Sequence, residues 1–163
     1  KGQCHMKQEQ IRDFTRRISQ SNRSGLTVVT YEIILAYIDD AEACYGSGNY
    51  QGFRDALLHA QRSIDTLVQS LDFGYEISRN LDALYAYAKE GLAKAIIKNS
   101  WDPAAHAQKV LTELYYAFKE AAKTDHSAPL MQNTQQVYAG VTYGRSDLTE
   151  MFQDVGQSRG FLA

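Results

Sequence analysis

A chain of 163 residues with 44% hydrophobic and 22% charged residues has enough material for one domain with its own core. A formal net charge of −2 lacks the basic surplus that nucleic-acid binders carry. No apolar run reaches the roughly 20 residues of a membrane span, and the polar, charged N-terminus does not read as a signal peptide.

Residues 1–5 read as a remnant ahead of a natural start at Met6. With only two prolines in the chain, long uninterrupted helices are permitted. Cys4 and Cys44 share no metal-ligand spacing and read as two thiols in a reducing cytosol.

The first predicted helix covers residues 7–19. Its stripe of Ile11, Phe14 and Ile18 is thin, so a lightly docked helix is expected. A polar break at residues 21–25 follows, with Asn22 or Ser24 as the cap of the next helix. That second helix spans residues 26–45 and is apolar nearly all round at its start, as a helix central to a bundle would be.

Gly46 suits the left-handed position after a helix, and Asn49 suits the cap of the next. The third helix, residues 50–71, carries a clean stripe: Phe53, Leu57, Ala60, Ile64, Leu67 and Leu71. Asp72-Phe73-Gly74 leaves little room for a loop, which predicts an antiparallel helical hairpin. The fourth helix, residues 75–98, repeats Ile77, Leu81, Leu84, Ala88, Leu92 and Ala95 on one expected core face. Asp102 as cap and Pro103 in the first turn start a fifth helix over residues 103–123, with Val110, Leu111, Leu114, Tyr115 and Phe118 inward.

From residue 124 the composition turns polar, and scattered apolar residues follow. The reading is therefore all-α: an antiparallel, up-down four-helix bundle with a short extra N-terminal helix in residues 1–123, then a linker and extended tail in residues 124–163.

Catalytic and metal motifs are absent. None of the four histidines stands in Glu-x-x-His, and Asp55 with His59 reads as a surface hydrogen bond rather than half a metal site. Gly46-Ser47-Gly48 follows a helix and lacks the Lys of a phosphate loop. Cys44 reads as a small core residue. No enzyme activity, cofactor or metal is expected. The unusual quantity is tyrosine, with 11 residues against one Trp, and it points to a protein-binding surface.

Residues 71–95 carry a more specific pattern: Leu71-Asp72, a short turn, Glu76-Ile77, Asn80-Leu81, Leu84-Tyr85, Tyr87, then Leu92 and Ala95. Upstream, a break at residues 20–23 leads into Val28-Val29-Thr30-Tyr31; downstream come Leu111, Leu114 and Phe118. In order and spacing this resembles the flagellin-specific secretion chaperones of the FliS family, over roughly residues 11–123. The family often has Gly-Gly where this chain has Gly74-Tyr75, and a Pro in the break that is missing here.

The resemblance implies a non-enzymatic cytoplasmic chaperone. Its partners would be the disordered C-terminal segment of flagellin and the flagellar export machinery. It would hold flagellin back from premature polymerisation and aid its delivery for export. Asn22, Tyr31, Leu81, Leu84 and Tyr85 match family positions and are the expected partner-binding residues. The alternatives are a helical dimerisation module or a metal- or small-ligand-binding bundle. The tail residues Tyr138, Val141, Tyr143, Leu148, Met151 and Phe152 are expected to occupy the client groove, in the same molecule or by self-association with a neighbour.

Overall fold

The computed structural model describes residues 8–131, all within one compact unit, Lys1–Gln132. The tail residues from Tyr138 to Phe152 that were expected in the groove lie outside the described residues.

Five helices follow one another: α1 (Gln8–Gln20), α2 (Arg23–Gly46), α3 (Tyr50–Gln69), α4 (Glu76–Lys98) and α5 (Asp102–Ala122). No strand occurs among the described residues. The helices pack as a bundle: α2 lies against α3 and α5, α4 lies against α3 and α5, and α1 rests on α2. Each of α2 to α5 contributes to one continuous core, among them Ile34 and Ile38, Phe53 and Leu57, Leu92, and Leu111.

Local chemistry sets the helix ends. Asn22 starts α2 by accepting a hydrogen bond from the Gly25 N–H at 2.8 Å, so the helix begins three residues before Leu26, where the apolar pattern starts. Asn49 caps α3 in the same way through the Gly52 N–H at 3.0 Å. Gly46, expected in the left-handed position, is instead the last residue of α2. The positive φ of 73° falls on Gly48, because Ser47 and Gly48 still donate to the Ala43 and Tyr45 carbonyls and carry the turn further. Asp102, expected as a cap, is the first residue of α5. Trp101 occupies the cap position, its ring packed against the core and its carbonyl accepting from Ala104 and Ala105. Asn99 closes α4 in the left-handed conformation, φ 49°.

The α3 stripe is buried from Phe53 to Leu67, with Leu71 half-buried beyond the helix end. The α4 stripe is buried as expected at Ala88, Leu92 and Ala95, but at the start of the helix the buried side is turned from expectation. Ser78 and Tyr85 are buried, whereas Ile77 is 64% exposed and Leu84 37%. The Ser78 hydroxyl is satisfied by donating to the Asp72 carbonyl at 2.6 Å, which ties the start of α4 to the preceding turn. That turn is itself held by the Gly74 N–H donating to Asp72 Oδ1 at 2.9 Å.

α1 buries no residue fully. Its Ile11, Phe14 and Ile18 lie beside Ile33 and Tyr37 of α2, and Arg17 pairs with Glu32. Glu32 also accepts from the Tyr115 hydroxyl at 3.1 Å, so one carboxylate joins α1, α2 and α5.

Candidate functional site

An apolar trough of about 450 Å³ opens at one end of the bundle. It opens where the first turns of α2, the last turn of α3, the first turns of α4 and the last turns of α5 come together. Leu26, Leu67, Leu71, Leu81 and Phe118 line it, with Thr30 and Thr66 between them. Its deepest side chain is Tyr85, 1% exposed.

The floor is an aromatic cluster. Tyr31 and Tyr85 share a hydrogen bond between their hydroxyls at 2.6 Å, and the Phe118 ring centroid lies 5.3 Å from that of Tyr31. Each buried hydroxyl gives the other a partner in a region that otherwise offers only apolar contact. Burial raises the ionisation of both tyrosines above the ordinary range. For Tyr31 the hydrogen bond it shares with Tyr85 raises it further; for Tyr85 the same bond works the other way. Both phenols are neutral at physiological pH, and the floor carries no charge.

The five residues singled out from the sequence fall in distinct places. Tyr85 lines the trough, and Tyr31 lies behind it, joined through the two hydroxyls. Leu81 stands half-buried in the wall. Leu84 faces outward on α4. Asn22 caps α2, and its amide reaches the chain beyond α5, donating to the carbonyls of Asp125 and Ser127 at 3.2 and 3.3 Å. Sequence reasoning missed Arg23, Thr27, Ser78 and Leu130, which also line the trough. Leu130 carried no signal because it lies in a polar stretch that reads as linker. Ser78 resembles any exposed serine until its bond to Asp72 is seen.

The surface around the trough is rich in aromatic and aliphatic groups. Phe73, Tyr75 and Ile77, at and just before the start of α4, are each more than half exposed. No group of three or more metal-ligating side chains gathers among the described residues. Asp55 accepts from Gln51, and the His59 ring stacks on Tyr37 with centroids 5.1 Å apart. No helix among the described residues is long and apolar enough to cross a membrane.

Fold and site together define an all-helical bundle with a largely apolar recess at one end, with Tyr85 in its lining and Arg23 and Asp72 as its charged members. Residues 6–125 match the flagellar protein FliS family, and the chain belongs to that family. FliS proteins form a chaperone family of the flagellar export system and are not known as enzymes. No curated protein matches the chain.

Proposed function

We propose that this protein is a cytoplasmic export chaperone that receives the disordered C-terminal segment of flagellin. It delays flagellin polymerisation and presents the subunit to the flagellar export apparatus. The reading includes an antiparallel up-down arrangement of α2 to α5, and a division into a bundle, residues 1–123, and a tail, residues 124–163. The observation that carries it is the apolar trough in a FliS-family chain.

The chemistry of the trough suits such a client. An amphipathic segment that folds as it binds buries apolar anchors at helical spacing and loses conformational entropy, which favours wide contact with ready release. In this reading Leu81 meets the client directly, and the Tyr31–Tyr85 floor sets the depth of the recess. Leu84, Ile77 and Tyr75 carry the apolar track onto the outer face of α4, and Asn22 supplies a polar group near the rim.

Calorimetry of the full chain with a flagellin C-terminal peptide tests the proposal. Binding at micromolar concentration is expected, weakened at least about tenfold by Leu81→Asp, which places a charge against an apolar wall. No heat at tens of micromolar would overturn the reading.

A further inference from the structure

We propose that residues 125–130 are a built-in occupant of the trough mouth, a clasp that an extended segment of the client must displace. This deepens the chaperone reading and rests on it for the identity of the competitor.

The clasp has a defined set of hydrogen bonds. The Ser24 hydroxyl donates to Asp125 Oδ2. The Asn22 amide donates to the carbonyls of Asp125 and Ser127, and the Leu130 N–H donates to the Ser21 carbonyl at 3.0 Å. The Ser127 N–H closes a turn onto Asp125 Oδ1 at 3.0 Å. On the bundle side the partners are Ser21, Asn22 and Ser24, all at the junction of α1 and α2. These bonds carry Leu130 to the trough, where it stands beside Leu26, Leu71, Leu81 and Phe118.

Asn22 is built for this contact. Its oxygen is committed to the Gly25 N–H as the cap of α2, which fixes the amide and leaves its N–H groups aimed at the passing chain. An amide donating to two main-chain carbonyls recognises backbone, whatever side chains the segment carries. Selectivity then comes from the Asp125 carboxylate on Ser24 and from one large aliphatic chain five residues later. The hydrogen bond from Ser24, helped by Ser127, holds the Asp125 carboxyl down at about 2, so this anchor stays charged at any pH used for binding.

Two features make the clasp displaceable. Leu130 is still 59% exposed, so it seats at the mouth without filling the recess. The family match ends at Asp125, so Ser127 and Leu130 lie beyond the part of the chain that defines the family. A client segment of the same kind, extended and with an aliphatic residue some five positions after an acidic one, would make the same bonds and add contacts deeper in.

The test uses the full chain with Leu130→Asp, Ser24→Ala, and Met131→Ala as a neighbouring control outside the trough lining. Far-ultraviolet circular dichroism checks that each variant is folded. Two readouts are taken: fluorescence of 1-anilinonaphthalene-8-sulfonate without client, and calorimetric affinity for the flagellin C-terminal peptide. Opening the clasp should raise dye fluorescence and strengthen peptide binding by about threefold to tenfold for Leu130→Asp and Ser24→Ala, with no change for Met131→Ala. Unchanged dye fluorescence in both clasp variants would overturn the clasp. Raised fluorescence with unchanged peptide affinity would overturn the competition. Raised fluorescence with no peptide binding by any variant would support the clasp and overturn the flagellin reading instead.

Discussion

Where α2 turns into α3 and α4 into α5, small residues draw the helices together. A methyl group on Gly52 would lie 2.8 Å from Cys44 Sγ, and one on Gly91 would lie 3.0 Å from the Pro103 carbonyl oxygen. Ala41, Ala95, Ala104 and Ala107 are buried around them. Where α3 turns into α4 and α5 runs out, the walls are Leu26, Leu71, Leu81 and Phe118, only partly covered by one another, and the trough opens between them. The contrast is one of side-chain size. Glycine and alanine let backbones approach and shut the bundle, whereas leucine and phenylalanine hold the helices apart and leave apolar area for something else to cover. One end is closed by small residues; the other leaves an open apolar recess.

The comparison is broken most directly by deleting volume at the closed end. Leu57 is fully buried. Leu57→Ala should cost about 2–5 kcal/mol, read from the urea unfolding midpoint. Adding volume at the same end is next. Gly91→Val must displace a backbone carbonyl rather than a flexible side chain, and should cost about 1–3 kcal/mol. A loss below half a kcal/mol in either variant would mean that the closed end is not tightly packed.

Between the two ends lies the tyrosine pair. Tyr85→Phe leaves the Tyr31 hydroxyl buried without its partner and should destabilise by about 1–3 kcal/mol. Replacing Tyr31 by Phe as well removes the stranded group. The double variant should therefore be more stable than Tyr85→Phe alone, and a strictly additive double variant would show that the bond is not what these hydroxyls contribute.

The same pair sharpens the contrast by its response to alkali. Burial, which outweighs the hydrogen bond between them, raises the ionisation of both tyrosines in the folded chain. An unfolded tyrosine loses its proton near pH 10. The folded form thus holds the proton longer, and the stability this gives is full below about pH 10 and declines as pH rises past it. Phenolate absorbance from two of the 11 tyrosines should stay missing until the circular dichroism of the helices collapses. Full tyrosine ionisation in a still-helical chain would place one of the two in contact with water.

Much of this was legible in the sequence where a helix has one apolar face. α3 is such a helix, and Phe53, Leu57, Ala60, Ile64 and Leu67 are all buried as its spacing predicts. α4 has apolar residues on two faces, and periodicity alone cannot choose between them. Ile77 and Leu84 continue the stripe of Ala88 and Ala95, but at the start of α4 that side looks outward, and Tyr85 turns in to meet Tyr31. The trough arises from that divergence, so periodicity puts its walls on the core face and gives no sign of its opening. The clasp left no local trace at all. Its bonds join Asn22 and Ser24 to residues more than 100 positions away, and a serine, an asparagine and an aspartate in polar stretches look like any solvated surface.

The smallest expected change in stability is also the one that separates the two ends most cleanly. Leu81 belongs to the same stripe as Leu92, yet Leu92 is fully buried and Leu81 is only half covered in the trough wall. Truncating a half-covered side chain exposes little that was dry and creates no sealed cavity, because the recess is already open to water. Leu81→Ala should therefore cost no more than about 1 kcal/mol of stability, while Leu92→Ala costs about 2–5 kcal/mol. If the trough receives a client, the order reverses in binding: Leu81→Ala weakens the peptide complex and leaves the fold alone. A Leu81 variant that unfolds as readily as a Leu92 variant would show that the wall is core, and that the open end of this bundle is closed in solution.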